Sequence, residues 1–276
     1  MCLSCAEFSR IQFTTPQKLE SLSQLGSQRF PRPGTTRSGL FYTVGAPAAT
    51  KIWYAPAPVS GVGALVTVGI KVESGPLLAP DVIGAKNLYF ERTEALSKNR
   101  KLYVAKWSGT AETNDVLAPT PYNAVGFDDY SIAVSSEAKL VYWMSTRNGA
   151  PQLLSFASAD AAATVSVLDL KVSANCTRAG DDATPWVNSA GTVLLFRSTS
   201  LDDDCAPSDS GANDLFAVPL ASNGTPLSVA VPLATLNTIG GGSDQTDPAF
   251  SADSCVIYYA SDSGSGNYDL YRAARK

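Results

Sequence analysis

The sequence predicts an all-β fold, a five-bladed β-propeller of four-stranded antiparallel blades, and three observations predict it. One motif returns five times along the 276 residues. Each copy reads as short strands separated by polar turns, and a strand-built period of about 50 residues marks a propeller or a solenoid. Segments of the type Pro-x-x-Leu, as in Pro16–Leu19, add a further strand to the three in each copy. Four antiparallel strands repeated radially make a propeller blade. A β-sandwich also has many short strands, but it does not need one motif five times in the same register.

The copies follow in order, with motifs at about 28–56, 79–106, 129–157, 182–218 and 245–274. The first has Phe30-Pro31, then Gly39-Leu40-Phe41-Tyr42, then Lys51-Ile52-Trp53-Tyr54-Ala55. The second has Pro80, then Asn87-Leu88-Tyr89-Phe90, then Lys101-Leu102-Tyr103-Val104-Ala105. The third runs from Ile132 through Leu140-Val141-Tyr142-Trp143 to Gln152-Leu153-Leu154-Ser155-Phe156 and has lost the proline. The fourth has Thr184-Pro185-Trp186, then Val193-Leu194-Leu195-Phe196, then Asn213-Asp214-Leu215-Phe216-Ala217. The fifth is Asp247-Pro248-Ala249-Phe250, then Val256-Ile257-Tyr258-Tyr259, then Asp269-Leu270-Tyr271-Arg272-Ala273. The first strand of each unit is expected to start after the proline, which cannot donate to a ladder. The turns Ser135–Ala138, Asn188–Gly191 and Ser251–Ser254 are small and polar, as tight hairpins require. The second strand is a run of large apolar residues, expected to be buried on both faces. The third alternates and should have one wetter side.

This pattern resembles the TolB-type, WD40-like propeller repeat of bacterial envelope proteins. The likeness runs from about Ile11 to Arg275 and is strongest in copies four and five. Copy five has Ser254 where the family usually has glycine, and copy four keeps Gly191 but has Ala190 in place of the aspartate. The resemblance implies a fold and an envelope setting. It implies no reaction, because propellers host many unrelated functions.

The chain reads as a short tail, residues 1–7, followed by a single propeller domain over 8–276. The last copy lacks an outer strand, and Phe8–Thr14 precedes the first motif as a strand without a unit. The expectation is that this strand completes the last blade and removes an exposed edge. The Ala/Val/Ser-rich stretch 157–182 is poorly patterned and is where an extra blade could hide.

Formal charge is −4, with 21 Lys and Arg against 25 Asp and Glu, and there is no basic cluster of the kind nucleic acid demands. No apolar run is long enough to span a membrane. Abundant Ala, Ser, Gly and Thr point to an extracytoplasmic protein, with a cytoplasmic one as the alternative, and a monomer is expected. The tail holds Met1-Cys2-Leu3-Ser4-Cys5 and reads as a remnant of an export or lipoprotein signal, with Cys5 the candidate lipid-bearing residue. Cys176 and Cys205 flank the paired strands of copy four, and a disulfide is expected between them, stapling the insertion 200–211. Cys255 reads as an inert small apolar residue.

The chain has no histidine, which excludes Ser-His-Asp triads, Cys-His dyads and histidine metal sites. A carboxylate pair remains, as in glycoside hydrolysis. Asp182 and Asp247 are the candidates, at the entry to innermost strands and so near the channel mouth, with Asp81, Asp128 and Asp129 behind them. Because such residues recur from blade to blade, they are expected to cap turns and tie blades together rather than to catalyse. Asp202, Asp204 and Asp209 offer oxygen ligands for calcium but lack the spacing of a calcium loop. No cofactor is expected, beyond a structural calcium or other ion in the channel. Trp186 and Tyr130, with Asp182 and Asp247, are expected to form the face that meets a protein or carbohydrate partner. The functional expectation is a non-catalytic interaction scaffold, with a glycoside-hydrolase-like enzyme as the rival.

Overall fold

A computed structural model describes residues 11–22, 26–33, 39–45, 50–56, 63–65, 73–80, 86–107, 112–118, 120–149, 151–157, 165–171, 183–199, 212–238, 244–262 and 266–276. Five four-stranded antiparallel sheets form the blades of the propeller. From the innermost strand outward, blade one is β2 (Gln28–Pro33), β3 (Leu40–Val44), β4 (Lys51–Ala55) and β5 (Ala64–Leu65). Blade two is β6 (Glu73–Pro80), β7 (Lys86–Thr93), β8 (Arg100–Trp107) and β9 (Glu112–Leu117). Blade three is β10 (Asp129–Ser135), β11 (Leu140–Ser145), β12 (Gln152–Ala157) and β13 (Ser166–Val167). Blade four is β14 (Ala183–Val187), β15 (Val193–Thr199), β16 (Asn213–Pro219) and β17 (Val231–Pro232). Blade five is β18 (Gln245–Phe250), β19 (Val256–Ser261), β20 (Asp269–Ala274) and, as its outer strand, β1 (Gln17–Lys18).

The strand ahead of blade one therefore completes blade five, and its pairing extends past Thr14 to Lys18. The paired residues are Gln17 with Arg272 and Lys18 with Tyr271, preceded by an isolated bridge between Phe13 and Arg275. Both the end of Phe8–Thr14 and the Pro-x-x-Leu segment Pro16–Leu19 thus run along β20, with the Thr14 N–H donating to the Ala274 carbonyl at 2.8 Å. The Phe13 side chain packs inward beside Phe250 and Tyr271. Leu19 and Leu22 sit behind β1 in the apolar seam between blades five and one, with Leu40, Tyr42 and Leu270.

The innermost strands also begin earlier than the prolines suggested. Pro31, Pro185 and Pro248 lie within β2, β14 and β18. Each follows a residue in the left-handed region: Phe30 at φ 52°, Thr184 at 51° and Asp247 at 57°. At these points the register with the neighbouring strand shifts by a bulge. A bulge leaves a residue outside the ladder, so the proline's missing N–H costs nothing there. Blade three keeps the bulge without the proline, at Ser131 with φ 52°. In blade two the shift falls between Ser74 and Leu77, where the sequence has Gly75-Pro76. Pro76, not Pro80, thus occupies the repeat position, and Pro80 ends β6.

The second strands are the buried layer. Every residue of β3 and β11 is buried, and Trp143, Tyr142, Tyr42, Phe41 and Phe196 rank among the largest fully buried side chains. Apolar seams fill each space between blades, as with Leu140, Tyr142, Leu194 and Phe216 between blades three and four. Part of the poorly patterned stretch joins this seam: Ser166–Val167 is the outer strand of blade three, and Leu168 and Leu170 are buried against it. At the turn position of Gly191, φ 68°, blade five has Ser254 at 55°, and in blade three the left-handed residue falls one place later, at Lys139 with φ 55°. Blade four has the tightest demand for glycine there, because a Cβ on Gly191 would lie 2.5 Å from that of Ala138. Trp143 is fully buried, and Trp186 packs edge-on against Phe250, with ring centroids 5.6 Å apart.

Candidate functional site: the channel mouth

The inner strands start on one face of the disc, and the second strands end there. Between them lies a cavity of about 570 Å³, lined by residues of blades one to four and by Gly266–Tyr268 of blade five. A cavity of that size suits a small organic ligand. Its described lining is rich in arginine: Arg29 from β2, Arg92 from β7, Arg100 from β8 and Arg197 from β15. Glu91 is the one carboxylate among the described lining residues. Thr43, Thr50, Thr93, Ser131 and Thr184 supply hydroxyls, and Tyr130 and Tyr268 supply rings.

The bulges are tied across blades. The Phe30 N–H donates to Asp247 Oδ2 at 3.1 Å, and the Asp247 N–H donates to Thr184 Oγ1 at 3.2 Å. The Ser131 N–H donates to Glu91 Oε2 at 3.3 Å. In each case a strained residue's amide is held by a side chain of the preceding blade, which satisfies a backbone donor the ladder cannot reach. Asp247 is fully buried and also accepts from Arg29 Nε at 3.0 Å. Below the mouth, Arg32 reaches from blade one to the carbonyls of Asp247 and Pro248 in blade five, at 3.1 and 3.2 Å. Burial pushes the Arg32 guanidinium down to about 10, against the pull of Asp247 and Glu91. Burial also opposes the charge on Arg29, but Asp247 more than offsets it and the pKa is raised.

A second recurring tie sits just before the inner strands. The Arg100 N–H donates to Asp128 Oδ1, the Asn213 N–H to Asp244 Oδ1, and the Tyr268 N–H to Ser27 Oγ, at 2.9, 2.9 and 3.2 Å. Each tie fastens the start of one blade's third strand to the entry of the next blade. Asp129, fully buried, accepts from Arg147 Nη2 at 2.8 Å and from the Ala124 N–H at 2.7 Å, and so pins the loop between blades two and three.

The anticipated residues are thus divided. Tyr130 lines the mouth, with the Arg100 guanidinium 3.4 Å from its ring centroid. Burial raises the Tyr130 pKa, with Arg100 pulling the other way. Asp247 lies beneath the mouth as a blade tie. Trp186 is half-buried in the seam of blades four and five and is not part of the described lining. Asp182, Asp202, Asp204, Asp209, Cys5, Cys176 and Cys205 lie outside the described residues, as does Asp81. Cys255 is disulfide-bonded, which corrects its reading as an inert apolar residue; its partner lies outside the described residues. It stands at the half-buried hairpin end of blade five, where a sulfur can reach another segment.

Sequence reasoning missed Arg29, Glu91, Arg92, Arg100 and Arg197. A usable signal was present. Phe90-Glu91-Arg92 and Phe196-Arg197 put charges at the ends of strands that are otherwise apolar and buried, a placement that needs a partner or a solvent-filled space.

No protein-family model matches the sequence, and a search of curated proteins finds no match. Solved structures do match. TolB from Acinetobacter baumannii is 13% identical with a TM-score of 0.54, over 91% of this chain and 55% of that one, so the chain spans about half the length of that protein. TolB from Agrobacterium tumefaciens is 12% identical with a TM-score of 0.50, over 85% and 69% of the two chains. A thermostable family-43 glycoside hydrolase is 10% identical with a TM-score of 0.59, over 94% and 92%. At such identities the likeness is one of fold. With five closed blades and these neighbours, the chain is a β-propeller of TolB-like fold.

Proposed function

We propose that this propeller is a non-catalytic binding scaffold, working in the bacterial envelope or outside the cell, which receives its protein or carbohydrate partner at the channel mouth. The observation that carries this reading is the employment of the carboxylates. Asp247 is buried and committed to Phe30 and Arg29, and Asp128, Asp129 and Asp244 fasten strand starts and loops. Glycoside hydrolysis needs an acid and a base or nucleophile roughly 5–10 Å apart and facing the substrate. The described lining offers Glu91, which accepts the Ser131 amide. An oxidising compartment is supported by the disulfide at Cys255.

The rival reading, a glycoside-hydrolase-like enzyme, is favoured by one feature: Glu91 stands in a cavity with Tyr130, Tyr268 and several hydroxyls. The two readings separate on turnover. The protein is incubated with chromogenic glycosides and plant and bacterial polysaccharides, and binding to the same panel and to peptidoglycan fragments is measured in parallel. Binding without hydrolysis is the expected result. Hydrolysis that is lost in Glu91→Gln or Asp247→Asn would establish the enzyme instead.

A further inference from the structure

We propose that the channel mouth selects an anionic, hydroxyl-bearing small molecule: a sugar acid or sugar phosphate, either free or as the end of a longer chain. This rests on the reading of the mouth as a binding site and adds the chemistry of what enters it.

The mouth runs against the charge of the molecule. The chain carries a formal charge of −4, yet four arginines and a single glutamate line the described cavity. A low-dielectric cleft lined by one sign of charge concentrates ligands of the other sign. Asp247 and Glu91 do not cancel this excess evenly. Asp247 lies beneath the cavity and engages Arg29. The Arg100 guanidinium has its carboxylate contact with Asp128 at 3.9 Å, the limit of an ion pair, and is 40% exposed. The Nε of Arg197 is buried and makes no hydrogen bond among the described residues. A buried guanidinium donor left without an acceptor is costly, and an oxyanion in the cavity would supply one. Arginine is suited to the task, because its planar fork matches carboxylate and phosphate oxygens.

The rest of the lining speaks for the body of the ligand. Thr43, Thr50, Thr93 and Thr184 are suited to a partner rich in hydroxyl groups, and Tyr268 offers a ring. The volume of about 570 Å³ suits one or two sugar units rather than a bare inorganic ion.

Calorimetric titration of the whole protein with galacturonate, digalacturonate, glucose 6-phosphate, inorganic phosphate and the neutral sugars galactose and glucose tests this. Saturable binding of an acidic sugar is expected, weakening as salt is raised. Arg197→Gln should weaken it by about tenfold or more, the loss expected for one charge-assisted hydrogen bond. Arg272→Gln, at an exposed position of β20, should leave it unchanged. Binding of galacturonate rather than glucose 6-phosphate would identify a carboxylate ligand, and the reverse a phosphoryl one. Equal affinity for neutral sugars would overturn the inference while leaving the mouth a binding site. Inorganic phosphate binding as tightly as any sugar acid would overturn recognition of the sugar body. Acid binding untouched by Arg197→Gln would place the ligand elsewhere and overturn the inference together with the reading it rests on. No binding of any acid would overturn the inference alone, since the reading of the mouth as a binding site is tested separately by the polysaccharide and peptidoglycan panel.

Discussion

At Asp247 a single carboxylate serves two blades. Its oxygens take the amide of Phe30 and the guanidinium of Arg29, and its own backbone is held at φ 57° by the bulge. Removing it leaves the buried Phe30 amide without its acceptor and leaves Arg29 with Thr246 Oγ1 and water. Asp247→Ala should therefore lower the free energy of unfolding by about 2 kcal/mol, mostly from the buried Phe30 amide left without its acceptor, because the Arg29 side chain is 35% exposed and water screens its loss. Urea denaturation measures it, and a loss under about 1 kcal/mol would show that Arg29 and Phe30 find water instead. Asp247→Asn keeps one acceptor oxygen and should cost less. The recurrence of such ties argues for structure. Asp128, Asp244 and Ser27 do equivalent work at three blade junctions, which an active-site residue would have no reason to do.

The inner strands show the same logic at the level of the element. Four of them carry a left-handed residue at the bulge: Phe30, Ser131, Thr184 and Asp247. The conformation is costly for a residue with a Cβ and most costly for a β-branched one. Ser131 is the cleanest place to measure it. Ser131→Gly should leave stability unchanged or raise it by up to about 1 kcal/mol, while Ser131→Val should lower it by about 2 kcal/mol. Equal stability of the two variants would mean that the strand slips its register to escape the strain. The bulge also ties the blades, because it turns the amides of Phe30 and Ser131 toward Asp247 and Glu91 of neighbouring blades.

For the molecule as a whole, closure and alkaline stability are the measurable consequences. Blade five is finished by a strand from the other end of the sequence, and Leu22, fully buried behind it, packs in the seam with blade one. Leu22→Ala should cost about 3 kcal/mol, the usual toll of a buried leucine truncation, and should shift the whole unfolding transition if the ring is one cooperative unit. A separate early transition would show that the closing strand frays independently. High pH is the second probe. Burial raises the pKa of Tyr42, Tyr122, Tyr130, Tyr142, Tyr258, Tyr259 and Tyr268, with Tyr122 and Tyr268 pushed up to about 12. The folded state thus holds these protons more tightly than the unfolded chain. Their contribution is complete below about pH 10, the ordinary tyrosine value, and is lost as pH rises through the folded values. Arg32 works in the opposite sense, because its buried charge is relieved by deprotonation, but it is one group against seven. Stability should fall steeply above about pH 10, in step with tyrosinate absorbance. Tyr259→Phe should soften the fall, since its hydroxyl is buried without a hydrogen bond among the described residues.

The repeat made the architecture legible from residues alone. Buried runs such as Leu140–Trp143 and alternating runs such as Asp269–Ala273 follow from local chemistry, so the strands, their order and the five blades could be read off the chain. That the closing strand runs on past Thr14 to pair at Gln17 and Lys18, with Leu19 and Leu22 behind it, turned on which residues face the seam, and that depends on how two blades meet. The prolines misled in the same way: Pro31, Pro185 and Pro248 looked like strand starts because a bulge exists only once a neighbouring strand sets the register. Of the site, Tyr130 was anticipated and the arginines were not. Arg29, Arg92, Arg100 and Arg197 are separated by up to three blades in sequence and follow no shared motif. Only the closure of the ring brings the ends of their strands to one mouth, because radial packing gathers the same end of each blade around one axis.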